Sequence, residues 1–244
     1  MTKLSVNVNK IALLRNSRGT DYPNLRKHAE RLLELGAHGI TVHPRQDERH
    51  IKYADVPELA ALLVDHANVE FNVEGYPSDS FLALVEETRP DQCTLVPDSA
   101  TQLTSDHGWD MRDSGEMLHS ALDRLRASGI RSALFMDPDV ELIAGLQDLP
   151  VDRIELYTEP YAHNFGKPDE QAVLQQYREA ARFAQDQGLG INAGHDLNLQ
   201  NLAALLEIPD ILEVSIGHAL TVEALELGIA ETVARYLKIC SGAL

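Results

Sequence analysis

The chain has 244 residues, 44% of them hydrophobic and 24% charged, a size and balance that suit one globular domain over 1–244 with a sizeable core. Its formal net charge of −17 argues against nucleic acid as a partner, because neutralising phosphates needs a basic face. Cys93 and Cys240 form no motif, no apolar run approaches the roughly 20 residues of a membrane span, and Met1-Thr2-Lys3 leads straight into strand-like sequence; these point to a reducing cytoplasm with no membrane and no signal peptide.

Taken in chain order, residues 4–8 read as a strand and 22–35 as a helix closed by Gly36. Residues 39–42 then read as a strand and 56–66 as a helix. Strand 69–73 precedes helix 78–88, with Ser78 as N-cap. Strand 92–96 is followed by a long polar connection, 97–114, that contains Thr104, His107 and the only tryptophan, Trp109; it suits a lid or an extra helix. Helix 115–128 closes at Gly129, and strand 130–136 pairs with helix 140–147. Strand 153–157 precedes extra helical material around 161–169 and a helix over 169–187. Strands 190–193 and 211–216 lead to helix 199–207 and to a last helix reaching about residue 239.

Strict alternation implies a parallel sheet, and eight strand–helix pairs imply its closure into a (β/α)₈ barrel with extra helices. A doubly wound open sheet is the runner-up. It would want a glycine-rich turn after the first strand, and Asn9-Lys10-Ile11-Ala12 has no glycine.

A barrel gathers its active site at the C-terminal strand ends. His43 stands there after the second strand, and His195 and His218 stand after the seventh and eighth, each preceded by a glycine, Gly194 or Gly217. The last two loops and a helix N-terminus are the common phosphate site of barrel enzymes, so Gly194-His195-Asp196 and Gly217-His218-Ala219 read as an oxyanion cradle. Arg15, Arg18, Arg45, Arg49 and His50 form a cationic island if they converge. Glu70 and Glu155 interrupt apolar strands and are candidates for proton transfer, with Glu74 competing for the role of Glu70 on the same face. A metal is the rival use of these histidines, but the first strand offers Asn7 and Asn9 where a His-x-His pair would stand, and there is no HExxH motif. No metal is expected.

The segments 6–19, His43-Pro-Arg-Gln-Asp-Glu-Arg-His-Ile51, Leu95-Val-Pro97, Ile191-Asn-Ala-Gly-His195 and Ser215-Ile-Gly-His-Ala219 resemble the pyridoxine 5′-phosphate synthase family across essentially the whole chain. The resemblance implies a cytoplasmic barrel enzyme, a homo-octamer, with no metal or organic cofactor. It would condense 3-amino-2-oxopropyl phosphate with 1-deoxy-D-xylulose 5-phosphate into pyridoxine 5′-phosphate, phosphate and water. By the same resemblance His43 and Glu70 are proton acceptors, His195 is the proton donor and Glu155 stabilises the transition state. Asn7, Arg18, Asp196, Gly217 and His218 match contacts to the aminoketone phosphate. Arg45, His50 and Thr104 match contacts to the deoxyxylulose phosphate.

The chain departs from that pattern at three places. Asn9-Lys10 replaces an Asp-His pair that contacts the sugar, so Lys10 is expected to bind the sugar phosphate as a point charge. Asp196 stands where glycine is common, and is expected to turn away and cap the following helix. Pro44 follows His43 where leucine is frequent. Two further readings remain open, a barrel phosphosugar isomerase or aldolase and a non-catalytic phosphate-binding protein. A Schiff-base aldolase needs a lysine on a barrel strand, and the strands above contain none, Lys10 being the near miss.

Overall fold

The computed structural model describes residues 1–98, 102 and 104–243. The chain runs β1 (Lys3–Asn7), α1 (Asn9–Asn16), α2 (Leu25–Glu34), β2 (Gly39–Val42), α3 (Asp55–Leu63), β3 (Glu70–Gly75), α4 (Asp79–Thr88) and β4 (Gln92–Leu95). It continues through α5 (Met111–Ala127), β5 (Arg131–Met136), α6 (Val140–Ala144), β6 (Arg153–Tyr157), α7 (Glu159–Asn164) and α8 (Glu170–Asp186). It ends with β7 (Gly190–Gly194), α9 (Leu202–Leu205), β8 (Ile211–Ile216), α10 (His218–Leu227) and α11 (Ile229–Cys240). Eight parallel strands close in sequence order, β8 returning to β1 with Leu4 opposite Val214.

The expected strands all form, and four of the helices open on a capping side chain. Asn24, Ser78, Asp110 and Asp139 accept backbone N–H groups at the starts of α2, α4, α5 and α6. Three features differ from expectation. Residues 9–16 form a helix that the pattern does not announce, because only Ala12 and Arg15 are buried and no apolar stripe develops. The last helix divides at Gly228 into α10 and α11. The expected extra helix after β6 is α7, whereas in the connection 97–114 the described residues hold no helix before Met111; residues 99–101 and 103 lie outside the described set.

The apolar core lies between the strands and the surrounding helices. The lumen of the barrel is polar instead. Ser5 and Thr41 hydroxyls meet at 2.7 Å, Thr94 donates to Asn72 at 3.1 Å, and Asn192 donates to Gln92 at 3.2 Å. Among the described residues Val96, Phe135 and Tyr157 make a small apolar cluster near the mouth. Inward-facing positions recur every second residue, so β3 sends Glu70, Asn72 and Glu74 into the lumen at successive heights.

Candidate active site at the mouth of the barrel

At the C-terminal strand ends a cavity of about 570 Å³ is lined by residues of β1, β3, β5, β6 and β8, by α1 and the start of α10, and by the loops after β2, β4, β7 and β8. It brings together His43, Glu74, Glu155 and His195 with Asn7, Asn9, Lys10, Arg45, His50, Thr104, Asp196, Gly217 and His218. A larger groove, about 920 Å³, runs over the outer face between α5 and α6 beside Met111, His119 and Leu149. It is remote from the strand ends, so the smaller cavity, where the titratable groups converge, is the site.

Glu70 is not part of it. As the first residue of β3 it sits level with Gly39 at the other end of the barrel, where Lys3 and Arg131 both donate to its carboxylate. Four residues of strand separate it from Glu74, about 13 Å. Burial would raise the Glu70 pKa, but the two cations outweigh it and hold the group below its ordinary value. The carboxylate at the site is Glu74, which accepts from Asn7 Nδ2 at 3.4 Å and lies 3.9 Å from His43 Nδ1. Arg18 also lies outside the cavity. It lies on the exposed turn after α1 and is absent from the cavity lining.

Burial sets the protonation of the remaining groups. Glu155, only 3% exposed, is pushed up to about 8 by burial and then by Glu213. Its Oε2 makes no hydrogen bond among the described residues. Glu74 is raised well above its ordinary value by burial, then by Glu155, Asp98 and Glu213. His43 moves the other way, lowered by burial and by Arg45, His50 and Arg49. His50 falls to about 4 through burial and then Arg45, Arg49 and Lys10. Near neutral pH Glu155 therefore holds its proton, Glu74 is biased the same way, and His43 and His50 are biased toward the neutral form, a set that can both give and take protons.

The chain positions these groups through backbone contacts. The Asn9 side chain accepts from His43 N at 3.0 Å, so this neutral residue ties α1 to the end of β2. His195 follows β7 with φ 92 and its Nε2 lies 3.0 Å from Thr104 Oγ1, across the mouth. Asp196 does not cap a helix as expected. Its carboxylate turns back to 3.4 Å from His195 Nδ1, and that contact lowers its pKa. Two glycines are required by close approach. A Cβ on Gly194 would fall 2.2 Å from Glu155 Oε1, and one on Gly217 would fall 3.0 Å from Asn7 Cβ. Gly217 also precedes α10, which opens the helix N-terminus onto the cavity.

Arg45 donates to Asp98 and, at 3.2 Å, to Gln102 O, and Arg49 donates to the same carbonyl at 3.1 Å. Arg15, from the expected cationic island, is instead buried in a bidentate pair with Asp55 at 2.7 and 2.8 Å. Ser215 and Asp98 are not singled out as site residues by the sequence: Ser215 appears there only as part of an apolar strand motif, and the only hint of Asp98 is an acidic residue three positions past a strand end. Among the described residues no group of three or more His, Cys, Asp or Glu side chains is arranged to hold a metal ion.

Comparison with known proteins adds a lineage to this geometry. The family model described as pyridoxal phosphate biosynthesis protein PdxJ matches residues 4–242. The chain is 49% identical over 243 residues to the pyridoxine 5′-phosphate synthase of Chelativorans sp. (strain BNC1), covering 98% of both chains. It is 51% identical over 240 residues to that of Christiangramia forsetii (strain DSM 17595 / CGMCC 1.15422 / KT0803), covering 98% of this chain and 99% of the relative. Solved structures that share the fold include one described as native KDPGal, at TM-score 0.64 and 9% identity, covering 98% of this chain and 95% of that one. A mutant tryptophan synthase alpha-subunit from Pyrococcus furiosus aligns at TM-score 0.61 and 14% identity, covering 99% and 97%.

Proposed function

The chain belongs to the PdxJ family, whose relatives here are pyridoxine 5′-phosphate synthases, and on that premise we propose that its cavity condenses 3-amino-2-oxopropyl phosphate with 1-deoxy-D-xylulose 5-phosphate. The products are pyridoxine 5′-phosphate, phosphate and water. The observation that carries this reading is the convergence of His43, Glu74, Glu155 and His195 with cationic side chains and a helix N-terminus in one cavity.

Joining an amine to a ketone and expelling water needs groups that exchange roles as acid and base. His43, kept neutral, accepts protons from the amine and from carbon as the imine forms and the ring closes. Glu74 takes the acceptor position first expected of Glu70. Its protonated form returns a proton to a departing hydroxyl, as does His195 from the opposite wall. Glu155, protonated up to about 8, offers a neutral O–H to the oxygen on which charge develops. Two anionic phosphates need separate cationic ends. Arg45, Arg49, His50 and Lys10 serve the sugar phosphate, and Asn7, Asp196 through its amide, Gly217 and His218 serve the aminoketone phosphate. Arg18 enters this scheme only if brought to the cavity by another copy of the chain.

The same reading carries one domain over 1–244, assembly into a homo-octamer, and work in the cytoplasm without metal or organic cofactor. No helix among the described residues is long and apolar enough to cross a membrane. Incubating the protein with both phosphorylated substrates and following the absorbance of pyridoxine 5′-phosphate tests the reaction. Folded protein that yields no product would move the assignment to a phosphosugar isomerase or aldolase, or to a phosphate-binding protein.

A further inference from the structure

His43 has a carboxylate at each ring nitrogen. Nδ1 lies 3.9 Å from Glu74 Oε2, and Nε2 lies 3.9 Å from Asp98 Oδ2. The two carboxylates differ in what else they face. Glu74 lines the cavity. Asp98 lies behind the imidazole, in a pocket shared with Pro44, Tyr53, Tyr76 and Phe81, and is 6% exposed. Its Oδ2 accepts from Arg45 and, at 2.7 Å, from Ser105 Oγ, while its buried Oδ1 makes no hydrogen bond among the described residues.

A neutral imidazole has one N–H and one lone pair, and its partners decide which nitrogen holds the proton. At 3.9 Å neither contact is a direct hydrogen bond, but a carboxylate beside Nε2 electrostatically favours the Nε2–H tautomer and leaves the Nδ1 lone pair toward Glu74. Burial biases Glu74 toward its protonated form, and in that form its O–H faces the lone pair from 3.9 Å, positioned to donate as the two close on substrate. Asp98 also anchors the Arg45 guanidinium, so one buried group sets both the base and a cationic ligand of the cavity. Polar groups buried at this depth are costly unless partnered, and here the partners are parts of the site.

We propose that Asp98 is a positioning residue for the reaction: it backs the Nε2 edge of His43, anchors Arg45 and thereby presents Nδ1 to Glu74 and the substrate. This rests on the reading of His43 as a proton-transfer group. Asp98 touches no substrate in this scheme and acts through its two neighbours.

The test uses the full chain and both phosphorylated substrates, with imidazole ¹⁵N NMR of His43 alongside steady-state kinetics. In the unaltered protein the His43 proton is expected on Nε2. Asp98→Asn is expected to lower kcat by about 10- to 100-fold, part of the 10²–10⁴ that a positioned acid–base group contributes. The Michaelis constants should change less, the proton should shift toward Nδ1, and Asp98→Glu should recover part of the rate. Finding the proton on Nδ1 in the unaltered protein overturns the proposal even if Asp98→Asn does not fold. Normal kcat in Asp98→Asn, with His43→Asn inactive, overturns it while leaving the role of His43 intact. Normal kcat in His43→Asn removes the reading beneath both.

Discussion

Glu70 and Glu74 share the inward face of β3, yet what each meets sends its protonation in opposite directions. Glu70 is held between Lys3 and Arg131 at the closed end, and its charge is compensated there. Glu74 is buried beside other carboxylates at the mouth, which biases it toward its protonated form. The contrast gives a paired prediction. Glu74→Gln should cost on the order of 10²–10⁴ in turnover, as losing a positioned acid–base group does, with little change in thermal stability. Glu70→Gln should keep near-normal turnover and lose about 1.5–3 kcal/mol of stability, the scale of a charge-assisted hydrogen bond. Rates and melting temperatures of the two variants decide it; an inactive but stable Glu70→Gln would return the catalytic role to the bottom of the barrel. His43→Asn and His195→Asn should each lose turnover on the scale of Glu74→Gln, because both rings face the cavity.

At the scale of elements, α1 is where sequence and structure part. The strands were legible because β-branched and apolar runs recur between helical stretches, and their ends placed His43, His195, Gly217 and His218 at the site directly. Height within a strand was not legible: Glu70 and Glu74 have the same parity, and parity fixes a face while the register fixes the end. The place of Arg18 was not legible for a related reason, since a residue beyond a short helix of undetected length cannot be aimed from sequence. The short helix matters for specificity. Asn9, its first residue, is occupied by His43 N, whereas Lys10 opens onto the cavity close enough to His50 and Asp196 to lower the pKa of both. Lys10→Ala should therefore raise the Michaelis constant for deoxyxylulose phosphate about tenfold to hundredfold, the worth of one charge-assisted contact, and spare that for the aminoketone. Equal effects on both substrates, or none, would make Lys10 a general or merely peripheral charge.

The whole molecule combines a net charge of −17 with cations gathered at one mouth, and an outer surface with apolar side chains still exposed on two helices that pack together. Leu13 and Leu14 of α1 and Val222 and Leu225 of α10 are 42%, 49%, 43% and 80% exposed. Assembly with other copies would cover them, so Leu225→Asp should lower the mass found by sedimentation if this face is used, and leave it unchanged if another is. The lumen imposes a second molecular property, a pH dependence of stability with a definite sign. His50 titrates near 4 in the fold against an ordinary 6.5, so the unfolded chain binds more protons between those values and stability climbs with pH until about 6.5. Glu213 and Glu155 act oppositely. Their ordinary value is 4.5, but in the fold they hold protons to about 7 and about 8. Their contribution is complete below 4.5 and is lost as pH rises through those folded values. Above pH 6.5 the histidine gain is finished and only the carboxyl loss remains, up to about 1.4 kcal/mol per pH unit for each group while it stays protonated in the fold alone. Substrate-free protein should therefore melt at progressively lower temperature from pH 6.5 to 8. Glu155→Gln, which cannot ionise, should flatten that slope whatever it does to the absolute melting temperature. A slope identical in the variant and the unaltered protein would mean that Glu155 is already ionised in the folded barrel at neutral pH, and that it meets the substrate as an anion.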